Sequence, residues 1–346
     1  MKTNIKKIIV ACLLAMTMVL TACSSGVAGK NDKIKIVCTL FPQYDWVSEI
    51  VGENDSVEII LLNENGGDLH SYQPTADDII TISSCDMFIY GGGVSDKWVE
   101  DTLKQATNPD MIVINMLDVI GDNAKKEEIV EGMEAHDHTH DDETSEHNEE
   151  AEVEEHTDSD HDHYFDPTGY DEHIWLSISN AKLVCDDIYI GLCKLDDANK
   201  GAYENNLNSY KTKLDELDGK YKSMVETAAL DTILVADRFP FRYLTSEYGI
   251  NYYAAFVGCS SETEASFETV KFLAKKTDEL QLNNIIVVDG STQDVANTVI
   301  ESTNGKNQNI LVLDSMQAVG KKRIDAGETY LTIMESNLQV LAEALN

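Results

Sequence analysis

The sequence predicts an α/β protein: two β/α lobes with mainly parallel sheets, joined by a long rigid connecting helix, with a metal site in the interlobe cleft. Three observations carry this. Short β-rich runs alternate with amphipathic segments from Ile34 to Asn115, and again from Thr232 to the C-terminus. Between the two series lies one apolar stripe: Tyr203, Leu207, Tyr210, Leu214, Leu217, Tyr221 and Met224 recur in steps of four and three. Finally, residues 127–163 hold seventeen Asp and Glu, seven His and no Lys or Arg, just before the apolar stretch that carries His173.

In the first lobe, Ile34–Cys38 reads as a strand, Tyr44–Val51 as a helix and Ser56–Leu62 as a strand. Thr75–Ser83 reads as a helix starting at Pro74 or Thr75, with Asp77 and Asp78 in the first turn, where the helix dipole favours acids. Met87–Tyr90 is a buried strand running into Gly91-Gly92-Gly93; Asp96–Gln105 is a helix and Met111–Asn115 a strand. Past Ser177, Ser179 or Asn180 is placed to cap a helix whose apolar face is Val184, Ile188 and Leu192. The long stripe follows; lying between two β/α series, it is expected to pack on its own protein rather than form a coiled-coil dimer. In the second lobe, Ile233–Ala236, Tyr252–Phe256, Ile285–Val288 and Ile310–Leu313 read as strands. Segments near Phe241–Tyr248, Phe267–Leu280, Asp294–Ser302 and Tyr330–Leu345 read as helices.

The N-terminus reads as an address. Lys2, Lys6 and Lys7 precede the apolar run Ile8–Leu20, and Leu20-Thr21-Ala22-Cys23 looks like a bacterial lipobox, with lipid expected on Cys23. The expected partition is a signal peptide over 1–22, a tether over 23–30, a first lobe over 31–178 and connecting helices over 179–229, with a second lobe over 230–346. Within the first lobe, residues 121–166 are expected to form a disordered His/acid-rich loop. The chain is thus expected outside the cell membrane, lipid-anchored and monomeric. A net charge of −36 argues against a nucleic-acid partner, whose phosphates it would repel, and fits a cationic one. Beyond Cys12 and Cys23, the cysteines Cys38, Cys85, Cys185, Cys193 and Cys259 show no CxxC spacing and read as buried free thiols.

His136, His138, His140, His147, His156, His161 and His163 lie in the acidic run. Solubility would explain its acids but not its imidazoles, so metal contact is expected there. His70 and His173 are the other two histidines of the chain and are the first candidates for ligands. Ligands of open α/β sheets bind beyond the carboxyl ends of the strands. On this assignment His70 follows the second strand, Asp237 the first strand of the second lobe and Asp314 the last strand, so these three and His173 would enclose a cation. As bland alternatives, His70 would be an exposed loop histidine, and Asp237 and Asp314 would be helix caps or turn formers.

Several stretches resemble the metal-binding proteins of bacterial ABC importers for zinc and manganese, the ZnuA-like family. Leu69-His70-Ser71-Tyr72-Gln73-Pro74-Thr75-Ala76-Asp77-Asp78-Ile79 is similar to its first-ligand motif, and Phe88-Ile89-Tyr90-Gly91-Gly92-Gly93 with Trp98 to the segment that follows. Asp171-Glu172-His173-Ile174-Trp175-Leu176-Ser177 is similar to its second-ligand motif, Asp-Pro-His-Xaa-Trp-Leu-Ser, with Glu172 in place of proline. Leu313-Asp314-Ser315 is similar to the place where some members supply an aspartate. One departure stands out. Phe241-Arg242-Tyr243-Leu244 and Tyr248-Gly249 fit the third-ligand region, but the ligand position is Arg238, a guanidinium with no lone pair to give. Asp237, a loop histidine such as His163, or water would have to replace it. The alternative role for Arg238 is to orient a carboxylate by a charge-assisted hydrogen bond.

The resemblance implies an extracytoplasmic binding lipoprotein, not an enzyme. It would capture Zn2+, with Mn2+ as the alternative, and deliver it to an ABC permease with its ATPase. Two other functional classes are open to such a sequence. A surface zinc hydrolase would need a general base beside an open metal position, and the chain has no HExxH. A metal-buffering adhesin would use only the histidine-rich run.

Overall fold

The computed structural model describes residues 33–134, 169–258, 260 and 264–346. Cys23, Cys259 and the seven histidines from His136 to His163 lie outside them. The chain runs β1 (Ile34–Cys38), α1 (Phe41–Val51), β2 (Val57–Leu61), a 3-10 turn at Leu69–Ser71, α2 (Ala76–Ser83), β3 (Met87–Tyr90), α3 (Lys97–Leu103), β4 (Ile112–Asn115) and α4 (Met116–Ile120). A 3-10 turn at Ile174–Leu176 leads into α5 (Ile178–Leu195) and α6 (Lys200–Thr227). The second series is β5 (Thr232–Phe239), α7 (Arg242–Tyr248), β6 (Asn251–Val257), α8 (Phe267–Glu279), β7 (Asn284–Val288), α9 (Asp294–Ser302), β8 (Asn309–Leu313), α10 (Lys321–Asp325) and α11 (Tyr330–Ala344).

Both sheets are parallel and share one order, β2-β1-β3-β4 and β6-β5-β7-β8. Each therefore reverses direction between its first and third strands, which opens a crevice at the carboxyl ends. Strand alternation sorts the side chains. Ile36, Cys38, Met87, Ile89, Val235, Ile286 and Val288 join a core common to both lobes. Val37 and Phe88, and Leu234, Ala236, Ile285 and Val287, face separate outer clusters. The common core is completed by α5, α6 and α11. All seven residues of the long stripe are buried on α6, and Tyr221 Oη donates to Met334 O of α11 at 2.7 Å. The connecting helix is thus held along its length by both halves.

Local chemistry sets the boundaries. Thr75 caps α2 by accepting from Asp78 N (3.2 Å), while Asp78 Oδ2 accepts from Thr75 N (2.8 Å). Helix α5 begins earlier than its sequence suggests: its cap is Ser177, whose Oγ accepts from Asn180 N at 3.1 Å. The first strand of the second lobe is longer than expected. It runs to Phe239, with a register shift between Val235 and Arg238, so Asp237 lies within β5 and does not follow it. The acidic segment expected to be loose from residue 121 has its first part built into the fold. Asp171 N donates to Lys125 O (2.8 Å), Glu127 N to Gly169 O (3.0 Å) and Glu134 N to Ala255 O (2.9 Å), with Met133 buried. Edge strand β6 thereby gains a backbone partner, and Arg242 pairs with Glu128. Cys38, Cys85 and Cys185 are buried free thiols, and Cys193 is a half-buried one. No described helix is long and apolar enough to cross a membrane.

Candidate metal centre

His70 is presented by the loop after β2. Asn63 closes that loop, its Oδ1 accepting from Gly67 N at 3.0 Å and its amide donating to Gly67 O at 2.5 Å. Asp68 Oδ1 then accepts from His70 N at 2.9 Å, which starts the 3-10 turn. The His70 side chain is 14% exposed, with its Nε2 buried. Its Nδ1 lies 2.9 Å from Ser95 Oγ, in the glycine-rich loop after β3, and 3.6 Å from Glu172 Oε2.

His173 is fully buried. One oxygen, Asp171 Oδ1, accepts from both His173 N (2.8 Å) and His173 Nδ1 (2.9 Å), fixing backbone and ring together. With the proton on Nδ1, the lone pair is on Nε2. Burial alone would depress the imidazole pKa, but the carboxylates of Asp171, Glu127 and Glu172 together outweigh it and the net shift is upward. The ring stands edge-on to Trp175, centroids 5.5 Å apart. Gly258 lets the end of β6 come close, since a Cβ there would sit 3.1 Å from His173 Cε1 and 2.9 Å from Phe239 O.

These loops bring the two rings together, with His70 and His173 centroids 5.4 Å apart at 67°. The second lobe reaches across at three points. Gln317, just after β8, donates its amide Nε2 to His173 Nε2 at 2.5 Å. Trp175 Nε1 donates to Ser315 O at 2.8 Å, and Arg238 pairs with Asp68 at 2.7 Å. Burial would raise the Asp68 carboxyl, but Arg238 and His70 hold it below its ordinary range. The Glu172 carboxyl is raised by burial, against the opposing hydroxyl and N–H of Ser95.

The aspartates expected to complete the site are placed differently. Asp314 does follow β8, but its Oδ1 accepts from Met316 N (2.8 Å) and its Oδ2 pairs with Arg323 (2.5 Å). Asp237 Oδ1 accepts from Arg238 N at 2.8 Å. Among the described residues no three His, Cys, Asp or Glu side chains gather closely enough to hold an ion. The site is thus a pair of imidazoles with a carboxamide over one of them. Asp171 Oδ2 and Glu172 Oε2 are buried beside it without hydrogen-bond partners among the described residues. Sequence reading missed Gln317, Ser95 and Asp68. For Gln317 the available signal was its position three residues past Asp314. For Ser95 it was the glycine triplet, which ends a strand at the sheet's point of reversal.

The family model described as zinc-uptake complex component A, periplasmic, matches residues 36–344. The high-affinity zinc uptake system protein ZnuA of Bacillus subtilis is 28% identical over 339 residues, covering 98% of this chain and 96% of that protein. Zinc-binding protein AdcA of Streptococcus pyogenes is 27% identical over 317 residues, covering 90% of this chain. The chain spans only 56% of that relative's length. Among solved structures, the metal-dependent lipoprotein YcdH of Bacillus subtilis has the same fold. Its TM-score is 0.68 at 24% identity, over 90% of this chain and 99% of that one.

Proposed function

Because the chain belongs to the zinc-uptake complex component A family, we propose that it captures Zn2+ outside the cell and delivers it to an ABC permease driven by its ATPase. The observation that carries this is the meeting of His70 and His173, from distant loops, at the carboxyl-end crevice where second-lobe residues also arrive. The cation is cargo, and the protein performs no reaction on it. Neutral imidazole nitrogens suit zinc. Asp314 would add an oxygen by exchanging Arg323 for the cation, and release to the permease would part the donors of the two lobes. The seven histidines of the acidic run would gather the ion, and a lipid on Cys23 would keep the protein at the outer face of the membrane.

The test is zinc stoichiometry and affinity, by elemental analysis and chelator competition, for the full chain, His70→Ala, His173→Ala and a deletion of residues 135–163. Capture by the core predicts that the deletion keeps one tight site, which each histidine variant weakens severely. A passive buffer built on the loop predicts the reverse. Parallel titration with Mn2+ decides between the two cargoes.

A further inference from the structure

Glu172 stands where the resembling motif has proline, between Asp171 and His173. It is 2% exposed. Its Oε1 accepts from Ser95 N at 2.8 Å, and its Oε2, without a hydrogen-bond partner among the described residues, lies 3.6 Å from His70 Nδ1. The main chain opposite makes room for it. Gly93 has φ +96°, and a Cβ there would collide with Glu172 Oε1 and come within 2.7 Å of its Cγ.

The consequence concerns which nitrogen of His70 carries the proton. Ser95 Oγ, 2.9 Å from Nδ1, can donate or accept, so the hydroxyl alone suits either tautomer. A carboxylate beside Nδ1 does not: its charge favours the ring with the proton on that nitrogen. At 3.6 Å it is too far for a hydrogen bond, so it acts through space, in a buried setting where charge is weakly screened.

We propose that Glu172 is a positioning residue that sets His70 as the Nδ1–H tautomer, so that the Nε2 lone pair is offered to the cation. This rests on His70 being a ligand of the transported ion. It pairs with what Asp171 does to His173 by direct hydrogen bond. Two successive carboxylates of one loop each address a different ring, and a proline at residue 172 would remove the one beside His70 Nδ1. Partners of this kind orient ligating histidines and raise their basicity.

The test uses the full chain with 15N-labelled histidine, free of metal, and reads ring tautomers from long-range 1H–15N spectra. His70 is assigned by its absence in His70→Ala. Glu172→Gln keeps an oxygen for Ser95 N–H and loses the charge. The expected result is an Nδ1–H ring in the parent, a shift of His70 toward the Nε2–H form in Glu172→Gln, and zinc binding weakened about tenfold. Ser95→Ala should keep the parent tautomer. The proposal is overturned if Glu172→Gln leaves tautomer and affinity unchanged, or if Ser95→Ala switches the ring. If His70→Ala binds zinc as the parent does, it is the reading of His70 as a ligand that fails, and the metal-free spectra register that separately.

Discussion

Arg238 on β5 and Asp68 in the loop before His70 form an ion pair across the two lobes, Nη1 to Oδ2 at 2.7 Å. A side chain that cannot ligate thus joins the lobes beside the Gln317–His173 and Trp175–Ser315 contacts. The pair is partly exposed, 25% and 33%, so it is worth at most about 1 kcal/mol. Its effect should be seen in the site more than in stability.

Replacing this guanidinium by an imidazole supplies a lone pair and removes a positive charge from the cation's neighbourhood. Arg238→His should bind zinc more tightly by roughly tenfold, about 1.4 kcal/mol, in chelator competition. Arg238→Ala should change the urea midpoint little. Equal zinc affinity in Arg238→His and the parent would mean that residue 238 does not face the bound ion.

The Gln317 amide occupies the lone pair of His173 Nε2 at 2.5 Å, so zinc must displace it. A hydrogen bond of this kind contributes about 1 kcal/mol net. Gln317→Ala should therefore raise zinc affinity by about fivefold and speed association in stopped-flow competition. Slower association in the variant would show that the amide assists entry.

Trp175 ties the metal loop to the second lobe through Nε1 and Ser315 O, and its own carbonyl accepts from Tyr330 Oη at 2.7 Å. Trp175→Phe should cost roughly 2–4 kcal/mol, from an unsatisfied buried carbonyl and a small cavity. Zinc affinity should fall with it, since the His173 ring leans on the indole. Urea melts with and without zinc would measure both.

Asp45, on α1, is buried beneath Tyr330, whose N–H it accepts at 3.1 Å. Burial pushes its carboxyl from 3.8 up to about 7, against the relief given by Tyr330 N–H. The folded pKa lies above the unfolded one. The stability from the protonated form is therefore complete below about pH 4 and is lost as pH rises through 7. At about 1.4 kcal/mol per pH unit between the two pKa values, Asp45→Asn should gain a few kcal/mol at pH 8. Its urea midpoint in chelator should decline less between pH 4 and 8 than the parent's, the rest of the decline coming from other buried carboxyls such as Asp96, also raised to about 7 by burial.

Much of the architecture was legible in the chain alone, because side-chain periodicity is a local signal. The step of two in Ile36, Val37 and Cys38 sorts residues to opposite sheet faces. The alternating threes and fours from Tyr203 to Met224 mark one buried helix face. Helices α4 and α10, five residues each, are too short to show a period. The irregularity that carries β5 through Asp237 depends on its neighbour strands. His70 and His173 were legible as a pair because they are the only histidines outside the acidic run. Which groups face them was decided only in three dimensions. A carboxylate goes to whichever cation or N–H the fold places nearest. For Asp314 that is Arg323, for Asp68 it is Arg238, and for Glu172 it is Ser95 N–H. Charge pairing acts through space between distant segments, so spacing along the chain holds no record of it.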